Sequence, residues 1–386
     1  MSDEPIVIVG AGQCGIKAAE TLRQNGYEGG VVMIGDEPHA PYQRPPLSKA
    51  FLKGEMELER LMLKGDAFFE TFNIDARSSS RVERVDAAGR TVLLSDGSAI
   101  GYAKVLLATG TRSRRIPVPG LELAGVHYMR TIADVEAISA ALKPGVRIAI
   151  IGGGYIGLEV ASALRSFDYD VTVLESEQRV LQRVVCQQLS DYFQRVHTER
   201  GVDIHVNARV EAIEGGDRVE RVRLSDGGSV DADLVLMAVG AEPVGELAKA
   251  AGLAINNGIE VDETCRTSDA NIYAAGDCAS FFSNRYGRHI RLESVQNAID
   301  QGKHAALAML GSQDVYDPVP WFWSDQYDIK LQIAGLSDGY DRLETEGSEA
   351  DGSFVIRYFA GDRLICVDAV NAPRAHMMSR RELANQ

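Results

Sequence analysis

The stretches Ile6-Val-Ile-Val-Gly-Ala-Gly-Gln-Cys-Gly15 and Arg147-Ile-Ala-Ile-Ile-Gly-Gly-Gly-Tyr-Ile-Gly157 decide the fold of this chain. Each runs a β-branched segment into the spacing G-x-G-x-x-G, through Gly10, Gly12 and Gly15 in the first and Gly152, Gly154 and Gly157 in the second. A helical pattern follows both. Strand, glycine loop and helix in that order bring a helix N-terminus and its free N–H groups up to a phosphate, and the glycines keep Cβ atoms out of the approach. One such loop says little. Two of them, roughly 140 residues apart, predict a duplicated unit that holds two dinucleotides at once. The usual reason to hold two is to pass electrons between them.

Outward from the first loop, residues 6–9 read as a buried parallel strand, 15–25 as a helix stopped at Gly26, and 31–34 as the next strand. An acid beyond that strand is expected to meet a ribose, and Asp36 and Glu37 both qualify. The second unit repeats the plan with strand 146–151, helix 156–167 and strand 171–174, ending on Glu175. Two plain parallel crossovers without ligand would leave both acids at that offset unexplained. Each unit then makes a hairpin-like excursion with a turn signal, Ser95-Asp-Gly97 or Ser225-Asp-Gly-Gly228. Each returns on an apolar strand ending in glycine, Val105-Leu-Leu-Ala108-Thr109-Gly110 or Leu234-Val-Leu-Met-Ala-Val-Gly240.

Ile272-Tyr-Ala-Ala-Gly276-Asp277 brings backbone and a carboxylate together at a strand end, which suits a ribityl or ribose hydroxyl, although Gly-Asp is also an ordinary turn signal. From Trp321 the texture changes, and 355–359 and 364–367 read as antiparallel strands about a Gly361-Asp362 turn. The predicted class is α/β: two Rossmann-like dinucleotide-binding domains of glutathione-reductase-like plan and a small C-terminal α+β domain. The boundaries read as 1–113 with 243–315 for the first, 114–242 for the second and 316–386 for the third.

The formal net charge is −15 and the pI about 5.0, which argues against nonspecific nucleic-acid or anionic-membrane binding. No run of about 18 apolar residues exists and the N-terminus does not read as a signal peptide. The five cysteines are scattered, with no C-x-x-C, no C-x4-C and no Cys/His ligand set. That pattern predicts a reducing, cytoplasmic setting and no bound metal or cluster.

Pro41-Tyr-Gln-Arg-Pro-Pro-Leu-Ser-Lys49 and Trp321-Phe-Trp-Ser-Asp-Gln-Tyr327 carry more specific information. With the two loops, they resemble the two-dinucleotide-binding-domain flavoproteins. Within these they are similar to the ferredoxin reductases of bacterial cytochrome P450 and ring-hydroxylating dioxygenase systems, putidaredoxin reductase among them. The resemblance covers nearly the whole chain. It implies FAD as cofactor, NADH as substrate and an acidic [2Fe–2S] ferredoxin as partner.

On this resemblance Gly10, Gly12, Cys14 and Gly15 approach the FAD pyrophosphate, and Asp36 or Glu37 bonds the adenosine ribose. Arg44 and Lys49 lie along the flavin and its phosphates, and Val82 contacts the adenine side through its backbone. Ala108, Thr109, Gly110, Arg130, Gly276, Asp277 and Val295 complete the FAD set. Gly152, Gly154, Tyr155, Ile156, Gly157, Glu159, Glu175, Gly240 and Glu293 line the NADH site. Lys49 and Glu159 support the flavin and nicotinamide, and hydride transfer needs no acid–base residue. Two departures stand out. The family usually has a small residue such as alanine where Cys14 stands, and the chain stops about fifteen residues after Asn371, earlier than the family pattern implies.

Glu175 predicts NADH over NADPH, since a carboxylate accepts from a 2′-hydroxyl and repels a 2′-phosphate, with nearby Arg179 as the opposing charge. The missing cysteine pair excludes a thiol relay, so electrons leave directly from flavin. Arg112, Arg114, Arg288, Lys303 and Trp323 are the candidate docking residues for an acidic carrier, against the plainer reading of solvated charges and core packing. The rival readings are a rubredoxin or other electron-carrier reductase, and an NADH-switched flavoprotein resembling apoptosis-inducing factor.

Overall fold

The computed structural model describes residues 4–386. The chain divides into two compact units. One holds the residues up to Gln43 with Leu61–Arg112 and Glu242–Phe322, and the other holds Arg44–Arg60, Ser113–Ala241 and Trp323–Gln386.

The first unit is built on a five-stranded parallel sheet, in the order Ile272–Ala274, Lys104–Leu107, Ile6–Val9, Val31–Ile34 and Asp75–Arg77. Both Ile6–Val9 and Val31–Ile34 are buried at every position, which is why they read as continuous apolar runs instead of alternating ones. The chain steps outward on one side of Ile6–Val9 and then returns on the other. The switch in strand order therefore falls at the carboxyl end of Ile6–Val9, where Gly10 begins its loop. Helix Gln13–Gln24 follows, two residues earlier than its sequence pattern suggests, because Gly12 is its N-cap and Gly15 lies inside it. An antiparallel excursion (Val82–Asp86, Thr91–Leu94, Ala99–Gly101) turns at Asp96-Gly97 as expected. A mixed three-stranded sheet pairs Ile259–Val261 with Ala279–Ser283 in parallel and Ala279–Ser283 with Arg288–Ile290 antiparallel, and no clear alternation announces it in the sequence.

The second unit repeats the sheet, in the order Asp203–His205, Asp170–Leu174, Arg147–Ile151, Leu234–Met237 and Val126–Tyr128. In each unit the edge beyond the return strand is filled from outside the duplicated segment: Ile272–Ala274 comes from later in the chain, Val126–Tyr128 from earlier. The hairpin sheet (Val210–Gly215, Val219–Leu224, Ser229–Asp231) shares one core with Ala149, Ile151, Val235 and Met237. The same unit holds most of a five-stranded sheet in the order Trp321–Gln326, Ile329–Gly335, Arg363–Val370, Ser353–Ala360 and Arg342–Ser348. Helix Pro373–Ala384 turns His376, Ser379 and Leu383 inward.

One close contact fixes the first loop from behind. Helix Val295–Met309 crosses helix Gln13–Gln24 with Gly302 against Cys14. A Cβ at Gly302 would stand 2.6 Å from the Cys14 carbonyl oxygen and 3.1 Å from its sulfur. The opposing atom is backbone, so a smaller residue at position 14 gives no relief. Gly302→Ala is therefore expected to lower stability by about 1–3 kcal/mol. Urea denaturation measures this, and restoring stability by adding Cys14→Ala would contradict the backbone account.

Candidate cofactor and nucleotide sites

Both loops are shaped by backbone crowding. Gly10 has φ +121° and Gly152 φ +112°, in the left-handed half of the map that favours glycine. A Cβ at Gly10 would stand 2.1 Å from the Ala108 carbonyl oxygen, and one at Gly152 would stand 2.4 Å from that of Ala238. The third glycines are tighter: Cβ atoms at Gly15 and Gly157 would lie 2.0 and 2.1 Å from the carbonyl oxygens of Gly10 and Gly152. The middle glycines differ. A Cβ at Gly12 or Gly154 meets nothing within 4 Å.

Each middle glycine caps a helix, Gln13–Gln24 or Tyr155–Arg165, that has no side-chain cap and no acid in its first turn. Two helix N-termini thus present N–H groups to open space without a built-in anion. That is the donor set a pyrophosphate fits. FAD and NADH fit these two cradles.

The strand-end acids distinguish the loops. Gly10 N–H bonds to Ile34 and Gly152 N–H to Leu174, each at 2.8 Å, so Gly35 occupies the place that Glu175 has in the other unit. Glu175 accepts from Gly153 N–H at 2.7 Å through Oε2 and from Glu177 N–H at 2.9 Å through Oε1. Gly35 could not carry such a group, because its Cβ would stand 2.7 Å from that of Ala11. The acid of the first unit must come from further on. There Asp36 is exposed, while Glu37 accepts from the Tyr42 hydroxyl at 2.5 Å. Arg179 is occupied by carbonyl oxygens of Val185, Cys186 and Gln182, which removes it as a ready partner for a 2′-phosphate.

The first unit also holds Val82, Ala108, Thr109, Gly110, Gly276, Asp277, Glu293 and Val295. The Thr109 hydroxyl donates to Val244 O at 2.6 Å, and the Thr111 hydroxyl lies 3.5 Å from Asp277 Oδ2. Gly276 N–H donates to Gln301 Oε1 at 2.8 Å, and Gln301 also accepts from Asn297, so a buried amide fixes the Gly-Asp turn. Nothing in the sequence singles out Gln301 beyond its being a polar residue on the buried face of a helix. Val295 opens helix Val295–Met309, whose cap Ser294 accepts from Asn297 N–H at 3.1 Å. Glu293 is paired with Arg291 at 2.5 Å.

The second unit holds Arg44, Lys49, Arg130, Tyr155, Ile156, Glu159 and Gly240. Pro45–Ser48 forms one tight 3-10 turn with proline at its first positions, as the Arg-Pro-Pro sequence predicts. The turn sets Lys49 Nζ 2.5 Å from Glu159 Oε2. Arg44 donates to the Arg130 carbonyl at 2.7 Å, and Arg130 N–H donates to Asp134, the N3 acid of a capping box on helix Ile132–Ala141. Ser48 also donates to Glu159 Oε2 at 2.7 Å, and Ser324 donates to Oε1 at 2.7 Å. Neither serine was singled out by sequence.

Among the candidate docking residues, Arg112 is already matched by Glu242 at 2.7 Å and Glu246 at 2.5 Å. Arg288 and Lys303 are exposed in the first unit; Arg114 is exposed and Trp323 half-buried in the second.

Residues 4–302 match the family model described as pyridine nucleotide-disulphide oxidoreductase, and residues 321–386 match the reductase C-terminal model. The chain belongs to the pyridine nucleotide-disulphide oxidoreductases. Rhodocoxin reductase of Rhodococcus erythropolis is 44% identical over 99% of this chain and 90% of its own. A ferredoxin–NAD(P)(+) reductase of a Sphingomonas species is 43% identical over 97% and 92%. The crystal structure of the covalent putidaredoxin reductase–putidaredoxin complex superposes with a TM-score of 0.96 at 39% identity, covering 100% of this chain and 94% of that one.

This pyridine nucleotide-disulphide oxidoreductase has no disulphide among its described residues. Cys14, Cys186, Cys265, Cys278 and Cys366 are all free and buried. Burial pushes the thiols of Cys14, Cys265, Cys278 and Cys366 upward, away from the reactive thiolate. Cys278 packs with its sulfur against Leu107 and Ala275 carbonyls, as small-residue packing predicts.

One buried acid lies outside the loops. Asp368, 1% exposed, accepts from the Tyr358 hydroxyl, which accepts from Cys186 N–H at 3.1 Å. Burial raises its pKa to about 7. A raised folded-state value means that the acid contributes stability in full below its unfolded pKa, and that this is lost as pH rises through about 7. Between pH 4 and 7 the protein should lose about 1.4 kcal/mol per pH unit relative to Asp368→Asn, with no further divergence well above that window. Denaturant titrations at four pH values check the slope, and parallel profiles would refute it.

Proposed function

We infer that this protein is an NADH-dependent ferredoxin reductase. It takes hydride from NADH onto FAD and delivers single electrons to a [2Fe–2S] ferredoxin that supplies a cytochrome P450 or ring-hydroxylating oxygenase. The observation that carries the reading is two uncapped glycine-loop helices in one chain without a thiol pair to receive the electrons. The relatives agree by name: one is a rhodocoxin reductase, another a ferredoxin reductase, and the solved relative is joined to putidaredoxin.

When bound, FAD supplies the exchange between a hydride and single electrons. The chain's own residues bind and tune. On this proposal the loop at Gly10 and the turn at Gly276-Asp277 hold FAD, with Asp36 or Glu37 at its ribose, and the loop at Gly152 holds NADH. The glycines keep Cβ atoms out of the approach, and helix N-terminal N–H groups would meet the phosphates. Lys49, held by Glu159, would supply a cation to the negative charge that a bound flavin gains on reduction. The domains follow the boundaries 1–113 with 243–315, 114–242 and 316–386, and the buried, unpaired cysteines support a cytoplasmic setting. Arg114, Arg288, Lys303 and Trp323 are offered as docking residues; Arg112, matched by two glutamates, contributes less.

Two outcomes test this. Glu175→Ala should reduce the kcat/KM preference for NADH over NADPH by about 10-fold or more, the worth of a hydrogen bond to a charged group. Equal preference in both proteins would remove Glu175 from the nucleotide site. In stopped flow, NADH should reduce the flavin quickly, and a [2Fe–2S] ferredoxin should then reoxidise it at a rate that falls as salt rises. Slow reduction with a long-lived charge-transfer complex would favour a switch protein instead.

A further inference from the structure

The Lys49–Glu159 pair has a support that the nucleotide-binding reading does not use. Glu159 is a carboxylate with its side chain 3% exposed, and its oxygens accept three bonds: Lys49 and Ser48 on Oε2, Ser324 on Oε1. Ser324 lies on strand Trp321–Gln326, where Ser324 and Gln326 share the buried face two residues apart. Both are 0% exposed, as is His197 on helix Gln187–Glu199. A polar pair on a buried strand face needs partners, and these residues supply one another.

Gln326 Nε2 donates to Ser324 Oγ at 3.2 Å, and Gln326 Oε1 lies 2.8 Å from His197 Nε2. An amide oxygen only accepts, so His197 carries its proton on Nε2. Its Nδ1 then accepts from the Tyr327 hydroxyl at 3.2 Å. Burial holds His197 neutral, with its pKa lowered to about 4. Every donor in the series Tyr327, His197, Gln326 and Ser324 therefore points the same way, toward the negative charge of Glu159. Aligned bonds in a low-dielectric interior polarise one another in the sense that stabilises that charge. The strand is pinned a second time, because Tyr327 N–H donates at 2.6 Å to Ser162, one turn beyond Glu159 on the same helix.

We propose that Ser324 is a positioning residue for the Lys49–Glu159 pair, oriented by Gln326 and His197, and that the Trp-Ser-Asp-Gln-Tyr stretch exists in this chain for that purpose. The inference rests on the reading of Lys49 as the cation beside the flavin. It concerns how the cation is held: with Oε1 anchored by Ser324, the carboxylate cannot rotate, and Oε2 keeps Lys49 at one point. Without that anchor the carboxylate turns and Lys49 is released.

The test compares Ser324→Ala and Ser324→Thr, the second of which keeps a hydroxyl on a strand residue. Holoenzyme of each is treated with an amine-acetylating reagent, and Lys49 labelling is read by peptide mass spectrometry. The hydride-transfer rate and KM for NADH are measured in parallel, with thermal denaturation as a control. Ser324→Ala should raise Lys49 labelling and lower the hydride-transfer rate, each by about 10-fold, at nearly unchanged KM, the fold-change of one hydrogen bond to a charge. Ser324→Thr should restore both. Labelling and rate both within twofold of wild type, or a loss of melting temperature alone, would overturn the proposal. If labelling rises while wild type itself fails to accept hydride from NADH, the positioning role stands and the functional reading falls.

Discussion

One buried negative charge organises the second unit. Glu159 sits on the helix that follows the Gly152 loop, where desolvation makes a bare carboxylate costly. Its donors come from two separate stretches of chain, Ser48 and Lys49 at the proline turn and Ser324 on the strand at 321–326, and Ser162 on its own helix holds the end of that strand by accepting from Tyr327 N–H. Removing one donor leaves the buried charge less well compensated, and the penalty for that usually exceeds the net gain of making the pair. The strand at 321–326 is thus tied by hydrogen bonds to the helix that follows the Gly152 loop.

The duplication carries an asymmetry of one position. Matching backbone bonds from Gly10 and Gly152 align the two units residue for residue at the strand ends. At the next position one unit has glycine and the other a carboxylate, and Ala11 beside Gly35 leaves no room for more. Two copies of one supersecondary plan therefore carry different chemistry at the same strand-end position. The difference follows from a single steric contact.

Much of the fold was legible. Parallel strands buried on both faces read as unbroken β-branched runs, and glycines at fixed spacing marked both loops. Boundaries slipped by one or two residues because cap glycines belong to the helix entry. Val126–Tyr128 is short and half-buried, so no periodicity announced it as the strand that completes its sheet. Lys49 and Glu159, which the structure pairs, were legible as candidates. The residues behind them were not. Ser48, Ser324, Gln326, His197 and Gln301 are ordinary polar residues until tertiary structure buries them, and only then does each become obliged to find a partner.

The buried cysteines bear on how the protein wears. A redox protein works among oxidants, and oxidation of a thiol requires both access and the thiolate form. All five thiols lie inside the structure, and burial holds four of them toward the protonated form. The chain thus conducts its chemistry with its thiols sealed off, and the sulfurs it leaves open to oxidants are thioethers, those of the exposed Met377 and Met378.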